Sequence, residues 1–270
     1  MHKGNTLGRA CYHNHNSLTH CYLTTTVLPL IAGKIPKSVF AQRHPNNMRL
    51  QIPQKFRRNS HMVKEAGYDE SAKEIIALMA ERLGLADFRD TNILDVGCGT
   101  RFSAYMINNE VPVKSYTGID VDEEIIDFLQ TAASPVDARF HYAHWPVRNA
   151  LYNPAGAPLS LQTHLPVAGS FDVIWLFSVF THLDPDDAAA MLRILRQHIA
   201  SHGKLIFTCR INNTVDGFVD RIPEQPLLRA VFSQTLMEKM IIESGWTIDH
   251  FYKNDPRDFI RNYYICSPRR

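Results

Sequence analysis

The chain has 270 residues, 45% hydrophobic and 21% charged, a globular composition long enough for one large α/β domain with an extension. No apolar run reaches the roughly 18 residues of a membrane-spanning helix. Five scattered cysteines, Cys11, Cys21, Cys98, Cys209 and Cys266, argue against a disulfide framework and for a reducing compartment.

The net charge of +2 conceals an asymmetry. Residues 1–64 carry ten Lys or Arg and no Asp or Glu, leaving 19 basic against 27 acidic residues in the rest. Residues 1–60 lack periodicity and are read as a basic, disordered leader. Sharper readings compete. An acid-free basic leader suits organelle targeting, but no amphipathic helix stands out. The stretch YLTTTVLPLIAG suggests a signal core but sits behind about 20 polar residues, the wrong order for a signal. Cys11, His13, His15, His20 and Cys21 are zinc-ligand types, in a spacing that matches no standard site. Charge alone permits a nucleic-acid-binding arm, but interleaved aromatics are missing.

From residue 61 onward the pattern is that of a folded domain. Residues 68–83 space Ile75, Ile76, Met79 and Leu83 as one helical face, with Gly84 as the C-cap. A strand over 92–96 runs into a glycine turn and a helix over 102–108. A second strand spans 115–120. A helix over 122–130 opens on Asp122, Glu123 and Glu124, which suit its positive end. A third strand covers 138–143, and residues 145–169 form a long Pro-rich loop. The apolar run FDVIWLF at 171–177 reads as a strand covered on both faces. Asp184 and Pro185 start a helix predicted over 186–200. Strand 203–209, helix 233–244 and strands 246–252 and 261–266 complete the chain. This alternation predicts a doubly wound, mostly parallel sheet with helices on both faces.

In such a sheet, ligands bind beyond the carboxyl ends of the strands, where the strand order switches. ILDVGCGTRFS puts Gly97, Cys98 and Gly99 at that edge, with backbone free to approach a ligand. Asp120 lies 21 residues after Gly99, at the next strand end, suited to a ribose diol. The dinucleotide fingerprint would need a third glycine where Phe102 stands, which argues against a nicotinamide enzyme. Asp95 is a poor neighbour for a phosphate but a good one for an amino group. A ligand with an adenosine end and an amino-acid end satisfies both acids, and S-adenosylmethionine is such a ligand.

LDVGCGT followed by GID, then FDVIWLFSVFTHL, a helix and GKLIFTC, resembles the small-molecule branch of the class I S-adenosylmethionine-dependent methyltransferases. The resemblance covers residues 68–267. It implies a Rossmann-like seven-stranded sheet whose last strand is antiparallel. By position it implies Asp95, Gly97, Cys98 and Gly99 at the methionine end, Asp120 on the ribose and Val121 against the adenine. Phe177 and Ser178 would stand near the sulfonium and the acceptor. The sequence departs from the family at two points. Arg101 stands where the third glycine falls and is the candidate for the ligand's carboxylate. The usual adenine-binding acid is absent, leaving His144 or Trp145 for that contact.

The candidate general base is His182, with His141 and His144 behind it. Tyr152 and Asn153 are candidate acceptor contacts, as are Arg210, Asn212 and Asn213. Segments 145–169 and 212–228 are the expected acceptor lid. Cys98 lacks a histidine partner and is not read as a nucleophile. The expectation is methyl transfer to oxygen or nitrogen of a small-molecule acceptor. It carries no metal, nucleic-acid partner or membrane span, has a cytoplasmic location, and leaves the oligomeric state open. The alternatives are a degenerate scaffold of the same fold, or a protein or nucleic-acid methyltransferase.

Overall fold

The computed structural model describes residues 49–58, 67–255 and 261–270. Helix α1 (Tyr68–Leu83) has the predicted bounds. Gly84 ends it in the left-handed region at φ 70°, and the Gly84 and Leu85 amides close on the carbonyls of Glu81 and Ala80. Then follow β1 (Phe88–Val96), α2 (Arg101–Asn108), β2 (Val113–Asp120), α3 (Glu123–Ala132), β3 (Phe140–His144) and β4 (Phe171–Leu176). The second half holds α4 (Pro185–Arg196), β5 (Ile199–Cys209), β6 (Phe218–Asp220), β7 (Ala230–Phe232), α5 (Gln234–Glu243), β8 (Trp246–Asp255) and β9 (Arg261–Pro268).

The main sheet has the order β3-β2-β1-β4-β5-β9-β8. All pairings are parallel except those of β9, which runs antiparallel to both β5 and β8. The seven-stranded sheet with an antiparallel last strand is therefore as expected from the sequence. The order reverses between β1 and β4, so the carboxyl ends of these strands frame the crevice. One apolar core packs α1, α2 and α3 on one face, and a second packs α4 and α5 on the other. Asp122, Asp184 and Ser233 cap α3, α4 and α5, each accepting from the amide three residues on.

The fold differs from the sequence expectation in three places. Helix α4 stops at Arg196 rather than running to 200. Ile199 pairs with Phe171 instead and starts β5 early. The 212–228 segment is not plain loop, because β6 and β7 form a small hairpin across it. The leader read as 1–60 does not describe residues 49–58. There Leu50, Ile52 and Phe56 are buried in the α1–α3 core. Asn108 exchanges two hydrogen bonds of 2.8 Å with the Leu50 backbone, and Thr100 donates to the Phe56 carbonyl at 3.1 Å. The strap is irregular apart from a 3-10 turn at Gln54–Phe56, so its apolar positions follow no period in the sequence. The candidate ligands Cys11, His13, His15, His20 and Cys21 lie outside the described residues. No described helix is long and apolar enough to cross a membrane.

The strap's hold rests on Phe56, whose ring centroid is 4.9 Å from that of Phe128 on α3. Phe56→Ala should cost about 3 kcal/mol, the range for emptying a buried aromatic site. A lowered urea midpoint with an unchanged slope would report it.

Candidate active site

β1 ends at Val96 and the chain turns at once into α2. Gly97 (φ 71°) and Gly99 (φ 48°) both need the left-handed region. At Gly97 the need is also steric, since an added Cβ would lie 2.6 Å from Val179 Cγ2. At Gly99 an added Cβ would meet nothing within 4 Å, so that backbone borders open space. The Gly97 and Cys98 amides bond to the Ile119 carbonyl, which ties the turn to β2. Asp120, at the end of β2, accepts from the Gly99 amide at 2.9 Å and from the Asp122 amide at 3.0 Å.

A cavity of about 640 Å³ opens above this edge. Gly97, Cys98, Gly99, Arg101, Asp120, Val121, Trp145, Phe177, Ser178 and His182 all line it. Arg101, the first residue of α2, reaches Ser71 Oγ at 3.3 Å. Its guanidinium lies 4.8 Å from the Phe102 ring and 5.0 Å from the Phe177 ring. Trp145 is anchored through Nε1 to the His164 carbonyl at 3.0 Å, which closes the neck of the 145–169 loop. Ser178 takes φ 64°, a strained conformation for a residue with a side chain, and its amide donates to Thr208 Oγ1 at 2.7 Å.

Seven candidate residues do not line the cavity: Asp95, His141, His144, Asn153, Arg210, Asn212 and Asn213. Asp95 does not line the cavity; it is 1% exposed. It accepts from the Tyr116 hydroxyl on the α1–α3 face of the sheet. His144 is also absent from the cavity wall and turns Nε2 to the Val121 carbonyl at 3.2 Å. Cys98 is buried, and desolvation holds its thiol well above the ordinary range, against thiolate chemistry.

His182 sits in a 3-10 turn, Phe180–His182, after β4. Its Nδ1 is 3.0 Å from the Leu227 carbonyl. A carbonyl can only accept, so the neutral ring carries its proton on Nδ1 and a lone pair on Nε2. The Tyr152 ring meets it edge-on at 6.0 Å. The wall also includes Arg57, Arg58, Val147, Arg148, Leu159 and Met191, which sequence reasoning did not pick out. The one available signal was the FRR run beside the start of the domain. Among the described residues no cluster of three His, Cys, Asp or Glu could hold a metal ion.

Residues 94–205 match the family model described as a methyltransferase domain. Among solved structures, the chain is similar to the PH0226 protein of Pyrococcus horikoshii OT3, with a TM-score of 0.54, 12% identity and coverage of 81% of this chain and 100% of that one. It is also similar to magnesium protoporphyrin IX methyltransferase of Synechocystis PCC 6803 with bound SAH, with a TM-score of 0.50, 15% identity and coverage of 78% and 89%. A third is an S-adenosylmethionine-dependent methyltransferase of Clostridium acetobutylicum ATCC 824, with a TM-score of 0.50, 13% identity and coverage of 78% and 95%.

Burial pushes the Asp95 carboxyl up to about 7, against the opposing hydrogen bond from Tyr116. The unfolded carboxyl titrates near pH 4, so between about pH 4 and pH 7 the folded state keeps a proton that the unfolded chain has lost. The Asp95 contribution is therefore complete at low pH and falls as the pH rises to about 7, by at most about 1.4 kcal/mol per pH unit. Asp95→Asn should flatten this limb in urea unfolding measured across that range. The domain match over 94–205 and the sheet around it agree: residues 94–205 resemble a methyltransferase domain, and the seven-stranded sheet has the fold of the solved S-adenosylmethionine-dependent methyltransferases named above.

Proposed function

We propose that the protein transfers a methyl group from S-adenosylmethionine to oxygen or nitrogen of a small-molecule acceptor. The observation that carries the reading is the shared edge of β1 and β2. There the Asp120 carboxylate, held by the Gly99 and Asp122 amides, borders a cavity floored by glycine backbone. The residues fit the cofactor. Open space at Gly99 admits a ligand against the backbone, and a carboxylate at the next strand end accepts from a vicinal diol. Val121, Trp145 and Val147 supply apolar wall for a base. Arg101, fixed between two aromatic rings, is a cation for the amino-acid carboxylate.

When bound, the cofactor supplies an activated methyl on a sulfonium. The chain's part is then chiefly to hold an acceptor in line at near-attack distance and to keep water out. The wall beyond the glycine turn, with Tyr152, Asn149, Leu159, Leu183 and Met191, suits an acceptor of mixed polarity. His182 presents the Nε2 lone pair implied by its Nδ1 contact and takes the acceptor's proton as the bond to carbon forms. The strained Ser178 keeps the chain end of β4 against this space.

Calorimetric titration with S-adenosylhomocysteine tests the cofactor half. Micromolar binding is expected, weakened at least about tenfold in Asp120→Ala by loss of charge-assisted hydrogen bonds. Absence of binding by folded wild-type protein would sink the reading. A labelled-methyl screen with small hydroxylated and amino compounds then identifies the acceptor. With that acceptor, His182→Ala should lower kcat by about 10²-fold or more, while S-adenosylhomocysteine binds as before. An unchanged kcat would remove His182 from the chemistry.

A further inference from the structure

Arg58 reaches the acid that the ribose of the proposed cofactor needs. Its Nη1 lies 3.3 Å from Asp120 Oδ1, and its Nη2 is paired with Asp122. The guanidinium carbon stands 4.2 Å from the centroid of the Tyr152 ring. Arg58 and Asp120 both line the cavity. The strap behind Arg58 is not a loose tail. Phe56, two residues away, is buried against Phe128, and Arg57 donates to the Ile52 carbonyl at 3.2 Å.

Asp120 has two oxygens. Oδ2 accepts from Gly99, and Oδ1 already accepts from both Asp122 and Arg58. A vicinal diol that approaches from the cavity requires lone pairs on this same carboxylate. The 3.3 Å contact with Asp120 is long for a charge-assisted hydrogen bond, and Arg58 has a second acid in Asp122. The first can be given up while the second and the Tyr152 stack persist.

We infer that Arg58 is an internal competitor of the cofactor, occupying Asp120 until the ribose hydroxyls displace it. This rests on the reading of the cavity as an S-adenosylmethionine site. The exchange needs no strap movement beyond one side chain, because the core anchors at Leu50, Ile52 and Phe56 and the Asp122 pair remain. Cofactor affinity in this chain is then set partly by a cation from outside the glycine turn. Salt weakens this competition by screening the partly exposed guanidinium, while its effect on the Arg101 contact is common to proteins with and without Arg58.

The test is calorimetric titration of full-length wild-type protein, Arg58→Ala and Asp122→Asn with S-adenosylhomocysteine, at low and high sodium chloride. Asparagine keeps a capping oxygen for the Ile125 amide, so α3 stays capped while Arg58 loses its second acid. Arg58→Ala should bind about fivefold more tightly than wild type, as expected for the loss of one partly exposed ion pair. Asp122→Asn, which removes the pair that holds Arg58 once it leaves Asp120, should bind no more tightly than wild type. Added salt should narrow the difference in affinity between Arg58→Ala and wild type. Equal or weaker binding by Arg58→Ala, with wild type binding, would overturn this inference alone. No binding by any of the three proteins, each folded by circular dichroism, would overturn the cofactor reading and this inference with it.

Discussion

The Asp120 carboxylate is the constraint on which the crevice depends. It joins four pieces of chain: the glycine turn through Gly99, the α3 cap through Asp122, the strap through Arg58, and the end of β2 itself. With 3% of Asp120 exposed, its charge is stabilised by fixed amide dipoles and a guanidinium rather than by water. The geometry of the turn follows from the same contact. Gly99 can turn its amide toward Asp120 only because it tolerates φ 48°. Without that orientation, the floor of the cavity would carry neither donor nor open space in the right direction.

Around this point, the aromatic residues supply rigidity. Phe102, Phe177 and Trp175 meet edge-on, with centroid separations of 5.4 Å for Phe102–Phe177 and 6.1 Å for Phe102–Trp175. Arg101 lies against the first two and is held on its other side by Ser71 of α1. The residue that replaces the usual third glycine is thus built into the wall. It narrows that side of the cavity but brings a cation there. Thr100 does similar work one residue earlier, since its hydroxyl joins Tyr68 and the Phe56 carbonyl instead of capping α2.

Much of the domain was legible in the sequence because its signals are local. The glycine turn and the α1 face depend on spacing within a few residues, and the acid at the next strand end lies one strand-helix-strand unit, 21 residues, beyond Gly99. Asp95 was misread although its side was legible. Strand residues alternate between faces, so an acid next to Val96, a wall residue of the cavity, must point away from it. Motif likeness outweighed that alternation. Helix α4 was extended too far because Ile199 and Ala200 suit a helix as well as a strand, and only the distant Phe171 decides between them. Arg58 was legible only as part of the FRR run. Its contact is with a partner 62 residues away, and the strap that carries it is short and without period.

The loop after β3 has a form with consequences of its own. Trp145 and Leu165 are buried in the core, and the Trp145 indole closes the neck on the His164 carbonyl. Between them, the loop is held by its own contacts. Val147 bridges Ala157, Asn149 bridges Asn153, and the Asn149 side chain accepts from the Leu151 and Tyr152 amides. Such a segment behaves as a cassette with two fixed ends. Its interior can change while the sheet keeps its register, so the wall that Val147, Tyr152 and Leu159 give the cavity can vary without altering the fold.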